Sequence, residues 1–196
     1  MKSIPLRTAL LGLFLAGCNL VPPPQADTTR YYVLSAPAAS VPEAAPGALR
    51  LGLKELRIAD YLDTRDIVVR KGANELVLQD YARWAEPLES GIGRVLRARL
   101  LSDPGIAAVS SPPFAIGVPR DYDLTVEILH CEGDSDSARF AARVEIASAA
   151  DGHVVARRVF VAPQGSWNGR DFGKLAALLS EDVSALGADI AGALLR

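Results

Sequence analysis

DYDLTVEIL (residues 121–129), SARFAARVEIASA (137–149) and HVVARRVFVAP (153–163) are three β-rich segments that follow one another in the last third of the chain. The residues between them, EGDSD (132–136) and ADG (150–152), are of the types that form tight turns. Because short turns join neighbouring antiparallel strands, this stretch predicts an antiparallel meander.

Further β-rich stretches precede the meander. LRLGLKELRI (49–58) alternates leucine with polar residues or glycine, a period of two that indicates a half-buried strand. DIVVRKGANELVLQ (66–79) consists of two short runs around residues 71–74, which predicts a hairpin. RYYVLSA (30–36) is predicted to be the first strand.

Two stretches have helical spacing. One helix is predicted to begin near Glu86, with Pro87 in its first turn, and to stop at residues 103–105. Gly91 and Gly93 within it are expected to allow a close packing contact. The last helix is predicted from apolar residues that recur every three or four positions: Phe172, Leu175, Leu179, Val183, Leu186, Ile190 and Leu194.

The predicted fold class is therefore α+β, with an α/β-like character. A chain of 196 residues suits one domain, which we place at residues 30–196. Its mixed, largely antiparallel sheet is expected to be covered by the two main helices.

The first seventeen residues have the features of a secretory signal peptide. Lys2 and Arg7 form a positive head, and residues 9–16 form an apolar run. This run is far shorter than the roughly 20 residues that cross a bilayer. We therefore assign residues 1–17 as a signal peptide rather than a membrane span.

Leu15, Ala16, Gly17 and Cys18 look like a bacterial lipobox, the site at which a cysteine is acylated and the signal peptide is removed. Cys18 is the predicted lipidation site and the preceding three residues the peptidase recognition site. Two or more acyl chains would hold the protein stably on a membrane. An ordinary signal peptide with a chance cysteine is the alternative.

Residues 18–29 follow as a proline-rich tether. Three consecutive prolines favour an extended spacer between the lipid and the domain. Asn19, rather than aspartate, follows the cysteine, which predicts sorting to the periplasmic face of the outer membrane.

Because Cys18 would carry lipid, Cys131 is left without a disulfide partner and is expected to be a structural thiol.

Composition and motifs argue against several functions. A formal net charge of -2 without a dense cationic cluster makes nucleic-acid binding improbable. His130 and His153 lie at the ends of predicted neighbouring strands but lack metal-ligand spacing. GSWNG (165–169) and GRDFGK (169–174) depart from the nucleophile-elbow and phosphate-loop patterns. We predict no catalytic residues, metal or cofactor, and a binding or assembly role.

Several landmarks together resemble one family. The lipobox, RYYVL (30–34), ADYLDTRDIVVR (59–70) and ARWAEPLESGIGRVLRARL (82–100) are similar to the ABC-type transport auxiliary lipoproteins, the PqiC-like group. The run from Arg83 to Leu88 is the most specific part of this resemblance.

The resemblance implies a non-enzymatic lipoprotein that serves an MCE-type lipid transport system. Its implied partners are an MCE-domain periplasmic protein, the outer membrane through the lipid anchor, and identical subunits in a ring. Tyr31, Tyr32 and Trp84 are candidate partner contacts. One tyrosine is expected in the core and the other at the surface, because they point to opposite strand faces. For Trp84 a structural role at the start of the helix is favoured.

Two other functions stay open from the sequence. One is a structural or assembly lipoprotein of the outer membrane that is unrelated to MCE transport. The other, with little support, is a lipid-modifying hydrolase. The identity of a captured partner protein distinguishes the assembly lipoprotein from the transport role. A serine-dependent esterase activity would support the hydrolase.

Overall fold

The computed structural model describes residues 26–36 and 42–195, and in it the predicted meander forms one side of an eight-stranded sheet. The meander strands pair in antiparallel fashion, as the turn signals predict. In chain order the elements are β1 (Arg30–Tyr32), β2 (Leu49–Ile58), a 3-10 helix (Asp60–Leu62), β3 (Asp66–Arg70), β4 (Leu76–Trp84), α1 (Leu88–Leu101), β5 (Ile106–Ser110), β6 (Tyr122–Gly133), β7 (Ala138–Ser148), β8 (Val154–Val161) and α2 (Phe172–Leu194).

The sheet is mixed, which confirms the predicted fold class. Its order is β1-β4-β3-β6-β2-β5. Outside this order, β7 also pairs with β6, and β8 pairs with β7. The hairpin of β3 and β4 is antiparallel, whereas β2 lies parallel to both β5 and β6. β1 lies parallel to β4 at one edge of the sheet.

A bulge in β2 keeps its apolar side chains on one face. Strict alternation from Leu51 and Leu53 would turn Leu56 towards the opposite face. The register with β6 shifts by one residue between Leu53 and Glu55, so that Leu56 again lies opposite an apolar residue, Val126. An extra residue in one strand is the ordinary way in which a sheet resets its alternation.

Both helices pack on the same face of the sheet, where the hydrophobic core lies. The buried core side chains include Ile92, Val95, Leu96 and Leu100 of α1, Leu175, Leu179, Val183, Leu186 and Ile190 of α2, and Leu124, Val126, Ile128, Phe140, Val144 and Ile146 of the sheet. Full burial of such a side chain is worth about 1.5–3 kcal/mol against the exposed state. The helical spacing of the last helix is therefore explained by this core.

Both helix glycines lie at close contacts, as expected. A Cβ on Gly93 would lie 3.3 Å from Leu56 of β2, so this glycine does sit at a close contact between helix and sheet. A Cβ on Gly91 would lie 3.2 Å from the side chain of Glu86, just upstream of the helix.

Several boundaries differ from the sequence-based predictions, and one strand was not predicted. β1 ends at Tyr32 rather than residue 36, and β4 continues to Trp84 rather than ending at residue 79. α1 begins at Leu88, with Pro87 as its N-cap residue. β5 was not predicted, because its five residues, IAAVS, lack a clear alternation.

Candidate partner-binding surface

The predicted tyrosine pair leads to an open groove between β1 and α2. The groove has a volume of about 670 Å³. We call it the β1/α2 groove; it is lined by Tyr31, Tyr32, Val33, Ser35 and Ala36 on one side and by Gly173, Ala176, Ala177, Ser180, Glu181 and Ser184 of α2 on the other. Its helix wall consists of small residues with one carboxylate, Glu181, which leaves space for a chain to approach the helix closely.

Backbone contacts fix the strand wall of this groove. The N–H of Ala85 donates to the carbonyl of Tyr32 at 2.8 Å, which holds β1 against β4. Beyond Tyr32 the chain leaves the sheet, and the N–H of Ser35 donates to the hydroxyl of Ser180 on α2 at 3.0 Å. This contact joins the two walls and explains why the strand is shorter than predicted.

The two tyrosines have the separate environments expected from strand alternation. Tyr31 is 61% exposed, whereas Tyr32 packs against the core. The ring of Tyr32 lies 6.3 Å from that of Phe172, which in turn lies 5.5 Å from Trp167. Tyr31 is therefore the tyrosine that a partner can reach, whereas Tyr32 packs into the core.

The other predicted site residues fall into two groups. Trp84 is the last residue of β4 and is 3% exposed, so its role is packing and it offers no surface to a partner. Leu15, Ala16, Gly17, Cys18 and Asn19 lie outside the described residues. Their roles in lipidation and sorting stay predictions.

A buried carboxylate, Glu132, is the most unusual polar group of the described fold. Its side chain is 0% exposed and lies 2.8 Å from the guanidinium Nε of Arg70, which is 13% exposed. The hydroxyl of Tyr61 donates to Glu132 at 2.5 Å. Burial and this hydrogen bond raise the pKa of Tyr61 well above its usual range.

His130 and Arg139 complete this polar cluster. Arg139 can only donate, so its contact of 3.1 Å to Nε2 makes that nitrogen an acceptor and the ring neutral. Burial lowers the pKa of His130, which agrees with a neutral ring. The cluster satisfies the buried charge of Glu132 and joins β3 to β6, which is a structural role.

Sequence reasoning missed this cluster. EGDSD (132–136) was predicted to form a turn, but β6 continues to Gly133 and carries Glu132 inside the sheet. A signal was present in Tyr61, which precedes β3, and in Arg70, the last residue of β3; both supply donors. Only the tertiary pairing of β3 with β6 shows that they meet Glu132.

The two histidines do not form a pair. His130 lies near the C-terminal end of β6, whereas His153 lies by Ser148, which pairs with Tyr122 at the start of that strand. Residues 26–36 and 42–195 contain no group of three or more His, Cys, Asp or Glu side chains placed to hold a metal ion.

Cys131 is a buried thiol, as expected for a structural residue. Burial raises the pKa of this thiol strongly, so the reactive thiolate is disfavoured.

On α2, burial and then the charge of Glu181 raise the pKa of Asp182 to about 6.

A second groove, of about 860 Å³, lies between β2 and α1. Two arginines in its lining have partners within the chain. Arg94 donates to the Leu34 carbonyl at 2.7 Å and to Glu86, and Arg97 donates to the hydroxyl of Ser111. These contacts stabilise the packing of α1 and leave the β1/α2 groove as the better candidate for a partner.

The described fold is an open mixed sheet that has both helices on one face, an edge strand, β1, and a groove beside that strand. The chain belongs to the family described as ABC-type transport auxiliary lipoprotein component, whose model matches residues 32–191. The resemblance inferred from the sequence is therefore confirmed, and the family supports a transport-auxiliary role with attachment to a membrane.

Solved structures show the same fold. Protein XCC0632 from Xanthomonas campestris, of the DUF330 family, is 20% identical, with a TM-score of 0.69 over 85% of this chain and 95% of that one. A second structure, of an uncharacterized protein, is 18% identical, with a TM-score of 0.67 over 85% of this chain and 98% of that one. No curated protein matches this sequence. In the described part of the chain, no helix has the length and apolar character needed to cross a membrane.

Proposed function

We propose that this protein is a non-catalytic docking component of an MCE-type lipid transport system, anchored by lipid to the periplasmic face of the outer membrane. The observation that carries the proposal is membership of the transport-auxiliary lipoprotein family over residues 32–191. The β1/α2 groove supplies the surface on which an MCE-domain protein would dock.

The anchor in this proposal is the acylated Cys18. Cleavage before Cys18 and addition of acyl chains would leave residues 18–29 as a tether between bilayer and domain. Asn19 would direct the chain to the outer membrane. Mass spectrometry of the membrane-extracted protein tests acylation, and fractionation of the envelope tests the membrane to which the chain is sorted.

Tyr31 is the expected centre of the docking surface. Tyrosine is enriched at protein interfaces because it offers a large apolar ring and one hydrogen-bonding group. The ring of Tyr31 stands at the open edge of β1 beside the small side chains of α2. An extended or helical segment of the partner would fill this groove and cover the ring.

The experiment is affinity capture from membranes that contain the full, lipidated chain. The tagged protein is expected to recover an MCE-domain protein, and Tyr31→Asp is expected to reduce the recovery about tenfold or more, as for a central interface residue. Tyr81→Asp is the matched control, because Tyr81 is 65% exposed and does not line the groove.

Each outcome decides between functions. Capture of an MCE-domain protein that is reduced by Tyr31→Asp but not by Tyr81→Asp supports the proposal. Capture of an outer-membrane barrel alone would favour the assembly lipoprotein. Equal capture by both variants would place the docking surface away from the β1/α2 groove. Assembly into a ring of identical subunits is a further part of the proposal, and the mass of the detergent-solubilised protein tests it.

A further inference from the structure

Arg139 of β7 lies on the face of the sheet opposite to the helices. It is adjacent to the core residue Phe140, and neighbouring side chains of a strand point to opposite faces. The residue opposite Arg139 on β6 is Glu132, and His130 and Asp134 lie two residues before and after it. Diagonal neighbours of this kind are about 7–8 Å apart, within reach of an arginine side chain. Arg139 can therefore reach either His130 or Asp134.

In the structure the guanidinium of Arg139 binds His130. Its Nη2 lies 3.1 Å from Nε2 of the imidazole. The oxygens of Glu132, directly opposite, are occupied by other donors: one lies 2.8 Å from Nε of Arg70, and the other accepts the hydroxyl of Tyr61 at 2.5 Å. Because arginine offers only donors, its contact with His130 is a hydrogen bond only while Nε2 carries no proton.

Asp134 is the second acceptor within reach of Arg139. Its Oδ1 accepts the N–H of Ser135 at 2.7 Å, which leaves Oδ2 for another donor. An open cleft of about 440 Å³ is lined by His130, Asp134 and Arg139 together. The side chain of Arg139 therefore has room to move from the imidazole to the carboxylate.

We propose that His130 and Arg139 form a pH-sensitive latch: the neutral imidazole holds the guanidinium of Arg139, and protonation of the imidazole moves it to the carboxylate of Asp134. A proton on Nε2 faces an N–H of Arg139 at 3.1 Å, so that two donors and two positive charges oppose each other. The imidazolium keeps Glu132 as a partner, because Oε1 lies 3.3 Å from Nδ1. Arg139 gains an ion pair with Asp134. Acid therefore carries a positive charge from the middle of β6 to the tip of the β6–β7 hairpin.

The groups around the imidazole set the direction in which the latch responds. Burial is the largest cause of the lowered pKa of His130, the charge of Glu132 opposes it, and the charges of Arg139 and Arg70 lower the pKa further. The hydroxyl of Tyr61 lies 3.1 Å from Nδ1 and stays neutral, because burial raises its pKa. The latch is therefore expected to be closed at neutral pH and to open in acid, below the usual pKa of histidine.

Nuclear magnetic resonance of the side chains tests the latch, because the chain contains only two histidines. The full chain in detergent micelles is titrated with acid. Nitrogen–proton spectra of the imidazoles show which ring nitrogen carries the proton, and the Nε–H signals of the arginines follow Arg139. His153→Gln assigns the two rings, and Arg139→Gln assigns the arginine signal. We expect His130 to carry its proton on Nδ1 at neutral pH, and the signal of Arg139 to change together with that of His130.

Asp134→Asn separates movement of Arg139 from a simple effect of charge. Asp134 lies four residues from His130, about 13 Å along an extended chain. Charges at this separation are largely screened at about 0.15 M salt, where the Debye length is about 8 Å. If Arg139 moves to Asp134, Asp134→Asn lowers the pKa of His130, and this effect is lost in a chain that also carries Arg139→Gln. Asp136→Asn is the matched control, because Asp136 is exposed at the same hairpin tip and does not line the cleft.

A signal of Arg139 that stays constant while His130 titrates would overturn the inference. So would a proton on Nε2 of His130 at neutral pH, or an effect of Asp134→Asn that is equally large with and without Arg139. The fluorescence of the buried Trp84 and Trp167 reports the fold during the titration. A change at Arg139 that appears only together with a change in this fluorescence would mean unfolding and would also overturn the latch.

Discussion

Removal of the charge of Glu132 gives the sharpest test of the described packing. Glu132→Gln keeps the size of the side chain but removes the ionic partner of Arg70 at 2.8 Å and weakens the bond from Tyr61. A hydrogen bond to a charged group contributes about 1.5–3 kcal/mol, and breaking a buried ion pair costs about 3–5 kcal/mol. Because glutamine retains an acceptor for Tyr61, we expect a loss of about 2–3 kcal/mol in the free energy of unfolding.

Urea unfolding followed by the fluorescence of the buried tryptophans measures this loss. Glu145→Gln is the matched control, because Glu145 forms an ion pair of 2.7 Å with Arg157 on the exposed side of β7 and β8. The control is expected to change stability by less than about 0.5 kcal/mol. Combination of Glu132→Gln with Arg70→Gln is expected to cost less than the sum of the single changes. A loss at Glu132 no larger than that at Glu145 would refute the reasoning.

Three further predictions concern stability and reactivity. Burial raises the pKa of Asp182 to about 6, so ionisation of this carboxyl destabilises the folded state as pH rises from about 4 to about 6. After allowance for the partial exposure of Asp182, Asp182→Asn is expected to raise the free energy of unfolding by about 1 kcal/mol at about pH 7 and not at about pH 4. Asp189→Asn, which breaks the ion pair between Asp189 of the same helix and Arg158 of β8, is expected to give no such gain in thermal unfolding. Gly133→Ala is expected to lower the free energy of unfolding by about 2 kcal/mol, because the new Cβ would lie 2.6 Å from the Trp167 ring. An unchanged midpoint in urea unfolding would contradict this packing. Cys131 is expected to resist maleimide in the folded protein and to react after denaturation, and rapid labelling of the native protein would show that the thiol is accessible.

Local patterns were sufficient for most of the fold. The turn residues at 132–136 and 150–152 predicted the meander, and the helical spacing of residues 172–194 predicted α2 with its bounds. These elements are long and have one periodicity each, so local sequence and tertiary packing agree.

The predictions failed where tertiary contacts decide the outcome. β1 ends early because Ser35 bonds to the hydroxyl of Ser180, which is 145 residues away in the chain. Trp84 becomes the last residue of β4 because the backbone carbonyl of Arg65 accepts a hydrogen bond from its N–H. No local motif indicates that contact.

The part of the candidate site that depends on local alternation was predictable, whereas the part that depends on tertiary contacts was not. Strand alternation correctly separated exposed Tyr31 from half-buried Tyr32. The groove itself needs α2, which is about 140 residues further along the chain, and sequence spacing does not show that the two elements meet. The buried Glu132 was missed because its partners lie on β3 and on the 3-10 helix.

Photo-crosslinking from position 31 in the intact cell envelope tests the central claim most directly. With p-benzoylphenylalanine in place of Tyr31, the full lipidated chain is expected to form a covalent adduct with an MCE-domain protein, identified by mass spectrometry. The same substitution at Tyr81, which is similarly exposed outside the groove, is expected to form none. Adducts at position 31 with an outer-membrane barrel alone, or MCE adducts at position 81 and not at 31, would contradict the account.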